Sequence, residues 1–285
     1  MKDKTIPFRF ALNTSTIRQQ RLSVPEQIRV TAEAGFDGIE PWIRDLRRFI
    51  EQGGSVADLR KQIEDSGLRL VSAIGFAQWI VDDETQRRKG LEEAKRDMEL
   101  VRDLGGRHIA APPIGAHKPN MPKPDLPTIA QRYRDLCQLG QSMDVHPQLE
   151  LWGFSPTLSR LGELAFVATE AAHPMARLLP DFYHIRRGGN DFEGLAMLEA
   201  SMMDCFHIND YPGDIATNEL SDADRVFPGD GDAPLSNLIA GLGDRGFRGY
   251  FSLELFNPDY WKRDALEVAR EGLKKCRLVA QASPA

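Results

Sequence analysis

The sequence predicts a single (β/α)8 TIM barrel. Three observations point there. Short apolar runs alternate with amphipathic helical patterns eight times, and alternating βα units imply a parallel sheet. The 285 residues match the length of a closed eight-stranded barrel, about 250 residues with modest additions. The first apolar run ends in Asn13-Thr14-Ser15-Thr16 and lacks the glycine-rich phosphate turn that would open a doubly wound sheet.

The units follow in order. Residues 8–13 read as the first strand. The helix at 25–34 has Ser23 to cap it and Pro25 in its first turn, where proline's fixed φ suits the helix. Gly35 stops it, and 38–42 is the second strand. A helix at 55–66 closes at Gly67, and 68–75 is the third strand. The long helix 84–104 ends at Gly105, and 108–113 is the fourth strand. The proline-rich stretch 119–127 reads as a loop before a helix over 126–143. Strand 148–153, helix 159–172, strand 176–184 and a short helix at 192–200 come next. Strand 203–210, a long loop to 232, helix 235–242, strand 250–256 and helix 261–278 complete the chain. Residues 280–285 read as a frayed tail, so one domain spans 1–285.

Composition removes several function classes. The formal net charge is -6, with no basic stripe of the kind nucleic-acid binders carry. No apolar run approaches 18 residues, so no membrane span is expected. Residues 1–9 are charged and lack a signal-peptide core. Three widely spaced cysteines fit a reducing, cytoplasmic setting and exclude a cysteine-built zinc site.

In a barrel the chemistry sits at the C-terminal strand ends. Four consecutive units each bring one metal-competent side chain there: Glu150, Asp181, His207 and Glu254. Carboxylates set among apolar strand residues are costly to bury unpaired, and one divalent cation would offset that cost. Three carboxylates and an imidazole suit Mn²⁺, Mg²⁺ or Co²⁺, with Zn²⁺ also open. Taken singly, each acid could be a salt-bridged strand end and His207 a hydrogen-bonded core residue.

Two segments carry a family resemblance. Asp-Arg-Val-Phe-Pro-Gly-Asp-Gly occupies 224–231, and Glu-Leu-Phe-Asn-Pro-Asp-Tyr occupies 254–260. Nearly the whole chain resembles the xylose isomerase-like superfamily of sugar isomerases and epimerases, and within it the inosose (2-keto-myo-inositol) isomerases of inositol catabolism. The resemblance implies that Glu150, Asp181, His207 and Glu254 ligate one metal, Mn²⁺ being expected first. It further implies that His184 and Arg225 contact substrate. The implied chemistry is proton transfer beside a carbonyl through a metal-stabilised enediolate, with Glu150 and Glu254 as acid/base groups and His184 assisting at a hydroxyl.

Other residues stay open between two roles. Arg225 either meets substrate or orients a carboxylate, against a loop salt bridge with Asp222, Asp224 or Asp230. Glu40 either binds substrate hydroxyls or supports a ligand by a hydrogen bond. Trp42, Trp79 and Trp152 either line the pocket or pack, and Asn13 is a further contact candidate. His117 and Lys118 lie in a loop that either reaches the mouth or is solvated. His108, at the start of its strand, is given no role. Gly229 and Gly231 are too few for a phosphate cradle.

Four functions remain: a keto-polyol isomerase, a ketose 3-epimerase, a dehydratase of inosose or 3-dehydroshikimate, and a non-catalytic sugar- or partner-binding barrel. A small-molecule sugar or keto-polyol is the expected partner. A homodimer or homotetramer is expected from relatives, and neither nucleic acid nor membrane is.

Overall fold

A computed structural model describes residues 8–281. Residues 1–7, part of the segment read as lacking a signal core, and 282–285 lie outside the described residues. Eight strands appear in order: β1 (Arg9–Asn13), β2 (Gly38–Glu40), β3 (Arg69–Leu70), β4 (His108–Ala111), β5 (His146–Glu150), β6 (Arg177–Leu179), β7 (Cys205–Ile208) and β8 (Tyr250–Leu253). They alternate with helices α1 (Val24–Ala34), α2 (Ile43–Glu51), α3 (Val56–Asp65), α4 (Glu84–Asp103), α5 (Leu126–Gln141), α6 (Leu161–Ala171), α7 (Phe182–Arg187), α8 (Leu235–Asp244) and α9 (Ala265–Gln281).

All strand pairs are parallel. They form the runs β3-β2-β1-β8-β7 and β4-β5-β6. Single contacts close the ring: Ala110 donates its N–H to the Ala73 carbonyl at 2.9 Å, and Asp181 bridges to His207. The barrel expected from the sequence is therefore present.

The helix signals act as read. The Glu26 carboxylate accepts the Ser23 backbone N–H at 2.7 Å, and Gly35 closes α1 at φ 90°. Asp83 and Asp125 accept N–H bonds at the starts of α4 and α5, satisfying donors that the first helical turn leaves free.

The core lies mainly between strands and helices. Phe10, Leu12, Leu149, Leu151, Phe206, Ile208, Phe251 and Leu253 all belong to it. Their strand neighbours alternate to the opposite face. Those neighbours fill the barrel axis, and several are polar: Gln148 bonds Ser72 at 2.9 Å, and Ser252 bonds Glu40 at 2.7 Å.

Several boundaries differ from expectation. The strand expected at 176–184 stops at Leu179, because the Asp181 side chain accepts the His184 N–H and starts α7. His184 is thus on a helix. The short apolar run of the third unit is a regular strand only over Arg69–Leu70, with single contacts at Ala73 and Ile74 beyond it. A helix not expected, α2, follows Trp42, and the helix expected at 192–200 is two 3-10 segments. Ala280 and Gln281, placed in a frayed tail by the sequence, belong to α9, and Ala280 is buried. Among the described residues no helix is long and apolar enough to cross a membrane.

Candidate active site

Strand periodicity carries Asn13, Glu40, Glu150, His207 and Glu254 to the barrel axis near the C-terminal ends, and all are buried. Ligand atoms of Asp181, His207 and Glu254 lie within 4.8 Å of one another. His207 Nδ1 is 3.2 Å from Glu254 Oε2 and 3.7 Å from Asp181 Oδ2, yet it has no hydrogen-bond partner. On its other side, His207 Nε2 meets Glu40 Oε2 at 3.0 Å. That contact fixes the ring and leaves Nδ1 aimed between the two carboxylates, the arrangement in which a carboxylate orients a metal-binding histidine.

Of the four expected ligands, Glu150 lies outside this close group of three. Its carboxyl is buried on the wall of the same cavity, and Oε2 has no hydrogen-bond partner. Burial pushes its pKa up to about 8, with the Glu254 and Glu40 charges adding to the effect against His207. Glu254 behaves oppositely. Burial would raise it, but His207 and then Arg225 outweigh that and hold it well below the usual carboxylate range. For His207, burial opposes protonation, and Glu254 and Glu40 overcome it and raise its pKa well above the usual value.

Arg225 is the fixed cation of the site. Its Nη1 donates to Asp181 Oδ2 at 2.8 Å and Glu254 Oε2 at 2.9 Å, the same two oxygens that face His207 Nδ1. Nη2 donates to Asp222 Oδ1 at 2.7 Å and to His184 Nε2 at 3.1 Å. Of the three acids weighed for a loop salt bridge, only Asp222 is engaged, and the guanidinium is buried rather than on the surface. Because His184 Nε2 accepts, Nδ1 carries the ring proton, and it is buried without a partner. Burial holds the His184 pKa down to about 3, so the ring is neutral.

The Asp-Arg-Val-Phe-Pro-Gly-Asp-Gly segment owes its position to Asp210, just past β7. Asp210 exchanges two backbone bonds of 3.0 Å with Val226. Its carboxylate accepts the N–H groups of Gly229 and Ala233 at 2.9 Å. A Cβ at Gly231 would lie 2.3 Å from the Tyr211 carbonyl and 2.4 Å from Asp210 Oδ1. The glycine run is a clamp that delivers Arg225 into the barrel mouth.

A cavity of about 150 Å³ opens beside these groups. Glu150, His184, Arg225 and Glu254 line it, and Trp42, Phe76, Trp152, Phe154 and Phe256 wall it. Gly153 lets this wall form: a Cβ there would sit 2.2 Å from the His184 carbonyl.

Three expected substrate contacts are not on that cavity. Trp79 is buried behind the strands, where it donates to the Pro112 carbonyl at 2.9 Å and packs on Tyr133. Asn13 is fully engaged with Glu40, Glu254, Trp42 and Ser15. Glu40 lies beneath His207 and accepts from Asn13, His207 and Ser252; of its two proposed roles, the supporting hydrogen bond is the one the geometry allows. Trp152 does line the cavity, and His117 abuts it edge-on at 5.6 Å. The sequence reading missed Phe76, Phe154 and Phe256, and weighed Asp222 only as a loop partner of Arg225. The three phenylalanines share a signal, a Phe within a few residues of an axial strand-end group.

Glu40, Cys205 and His207 form a second close trio. Glu40 Oε2 is already saturated there, and burial followed by the Glu40 charge raises the Cys205 pKa well above normal. That set does not fit a cation. The Asp181, His207 and Glu254 set does: a free imidazole nitrogen faces two carboxylate oxygens.

The profile of the xylose isomerase-like TIM barrel matches residues 28–278. The chain belongs to the xylose isomerase-like TIM-barrel family. Among curated family relatives, an inosose isomerase from Bacillus velezensis is 25% identical, covering 87% of this chain and 89% of that protein. A 3-dehydroshikimate dehydratase from Pseudomonas aeruginosa is 27% identical over 88% of this chain, which spans only 39% of that enzyme. A solved structure of the IolI protein with a bound zinc atom superposes with a TM-score of 0.88 at 22% identity, covering 98% of this chain and 100% of that one.

Proposed function

We propose that this chain is a divalent-cation-dependent isomerase of a keto-polyol or sugar resembling 2-keto-myo-inositol. The observation that carries the reading is His207 Nδ1, which has no hydrogen-bond partner and faces Asp181 Oδ2 and Glu254 Oε2, beside a cavity lined by Glu150, whose Oε2 also has none. Asp181, His207 and Glu254 would hold the cation, with Glu150 on the adjoining cavity wall as the fourth candidate ligand. When bound, a divalent cation supplies Lewis-acid polarisation of a carbonyl oxygen. The oxygen-rich donors favour Mn²⁺; the zinc atom in the IolI structure makes Zn²⁺ the competing ion.

Glu150 and Glu254 approach the cavity from different strands. One takes a proton from the carbon beside the carbonyl, the other delivers its own proton to the former carbonyl carbon, the α-hydroxyl proton passes to the former carbonyl oxygen, and exchange with solvent resets the two carboxyls. His184 donates Nδ1–H to a substrate hydroxyl. Arg225 keeps Glu254 ionised and aligned, and shares its charge with Asp181. The aromatic wall suits the C–H faces of a sugar ring and excludes water.

Two experiments test the reading. Metal analysis of the protein as isolated should find one divalent ion per chain, and loss of that ion in Asp181→Ala and His207→Ala variants. Incubation with inososes, ketohexoses and 3-dehydroshikimate, plus Mn²⁺ in D₂O, should incorporate deuterium without loss of water. Water loss from 3-dehydroshikimate would replace the isomerase with the dehydratase, and inversion at one carbon of a ketohexose with the epimerase. No exchange on any ketone would overturn the proposal.

A further inference from the structure

The Arg225 guanidinium carries five N–H donors in a rigid planar fork, and all of them are spent. Nη1 gives its bonds to Asp181 Oδ2 and Glu254 Oε2. Nη2 gives one bond to His184 Nε2 and one to Asp222 Oδ1. Nε gives its single bond to the same Asp222 oxygen, at 3.2 Å. Among the described residues Asp222 is the only acceptor for Nε. It is also the one acid on Arg225 that lies outside the candidate cation set.

The chain presents this acid without making it part of the core. Asp224 accepts the Ser221 N–H at 2.8 Å and the Ser221 hydroxyl at 2.7 Å, closing a short 3-10 turn over Asp222–Asp224. That turn sets Asp222 three residues ahead of Arg225. The Asp222 side chain lines the cavity and is 43% exposed, so replacing it disturbs no core packing. The Arg225 backbone is held separately. Its carbonyl accepts Asn257 Nδ2 at 3.0 Å, and the neighbouring Val226 is clamped to Asp210. The guanidinium carbon lies 4.3 Å over the Tyr183 ring and 5.1 Å over Phe256. Those rings restrict tilting of the fork, and its rotation within its own plane is left to the hydrogen bonds.

We propose that Asp222 is a positioning residue that acts through Arg225. By holding the Nε–Nη2 edge of the fork, it leaves Asp181 and Glu254 one shared nitrogen, Nη1, and draws the guanidinium charge away from them. The two carboxylates then keep charge for the cation. Nη2 stays aimed at His184 Nε2, which fixes the ring proton on Nδ1. Without Asp222 the fork turns its Nη1–Nη2 edge to Asp181 and Glu254, the two-nitrogen geometry that guanidinium groups favour with carboxylates. It then competes with the cation for those oxygens and releases His184. The inference rests on the cation site of the isomerase reading and adds a residue that touches neither the cation nor the transferred proton.

The test is Zn²⁺ affinity, read by competition with a fluorescent chelator, and it needs no substrate. Asp222→Ala should weaken binding by about tenfold or more, the scale seen when a group that orients a metal ligand is removed. Asp222→Asn keeps an acceptor oxygen without the charge and should recover part of that loss. In an Arg225→Met background, Asp222→Ala should change the affinity by less than about twofold, because the two residues act as one unit. A loss that persisted in that background would mean that Asp222 acts by its own field, and the proposal would fall. Unchanged affinity in Asp222→Ala would overturn it as well. A second readout serves where Arg225→Met folds poorly. Nitrogen NMR spectra of isotope-labelled, Zn²⁺-loaded protein should show His184 as the Nδ1–H tautomer in wild type and as a mixture in Asp222→Ala; an unchanged tautomer overturns the proposal. Exchange in D₂O together with a Zn²⁺ affinity insensitive to Asp222 defeats this inference alone. The expected affinity pattern without exchange on any ketone defeats the isomerase reading alone, and a wild type that binds no Zn²⁺ defeats both.

Discussion

The two ends of the barrel hold the same residue types and use them differently. At the N-terminal end, Asp204 meets two basic side chains, Arg177 at 2.8 Å and His108 at 3.2 Å, and its own side chain is 37% exposed. Acid and base are balanced there, and water screens what is left. At the C-terminal end, Glu40, Glu150, Asp181 and Glu254 are all buried. Arg225 and His207 are the charged partners facing them, because His184 is neutral. The imbalance, more than any single residue, marks that end as a place where a further positive charge belongs. Carboxylates without full compensation are expensive to bury, and a fold retains them where they perform chemistry.

The largest expected effect comes from removing an acid at the unbalanced end. Glu254→Gln keeps the shape of the side chain but can neither accept a proton nor carry a full charge. Turnover should fall by about 10³ or more, with the far-ultraviolet circular dichroism unchanged. Near-normal turnover would remove Glu254 from the chemistry.

Next in size is the loss of the resident cation. In Arg225→Met, Asp181 and Glu254 lose their shared guanidinium, and breaking such a buried pair costs about 3–5 kcal/mol. The loss should be largest in chelator and smaller in excess Mn²⁺, because an ion bound only by the folded state adds stability by mass action. Urea unfolding under the two conditions measures the difference. An equal loss in both would mean that the cation does not share these carboxylates.

How far the sequence discloses this difference depends on what each residue's position requires. Strand count and helix caps are local signals, and Ser23, Asp83 and Asp125 act as their neighbours suggest. Asp181, His207 and Glu254 were legible because barrel order alone brings consecutive strand ends together. Trp79 was not: nothing local separates a tryptophan that bonds Pro112 behind the strands from Trp152 on the cavity. Asn13 and Glu40 show a subtler gap. Both lie at strand ends on the axis, as expected, but their polar atoms are consumed by Trp42, Ser252 and His207. A side chain's free valence depends on partners from distant strands, which one sequence does not display. The sixth strand fails for a related reason, since Asp181 can continue a strand or cap a helix, and the tertiary site selects the cap.

The smallest expected effect lies at the balanced end, and it is the sharpest control. Asp204→Asn should leave turnover within about twofold and cost under about 1 kcal/mol of stability, the scale of a partly exposed ion pair. Burial alone would raise the Asp204 pKa, but the hydrogen bond and charge of His108, and then Arg177, lower it below the ordinary 3.8. A carboxylate whose pKa is depressed on folding contributes stability that is fully present above its unfolded pKa and is lost as pH falls through the folded value. The part of the gap between wild type and Asp204→Asn that comes from this depressed pKa should therefore close as the pH drops below 3.8. Denaturation midpoints recorded across that range would show it. A gap that instead opened near pH 7, or a turnover loss comparable to that of Glu254→Gln, would mean that the two ends are coupled and that charge balance does not separate scaffold from site.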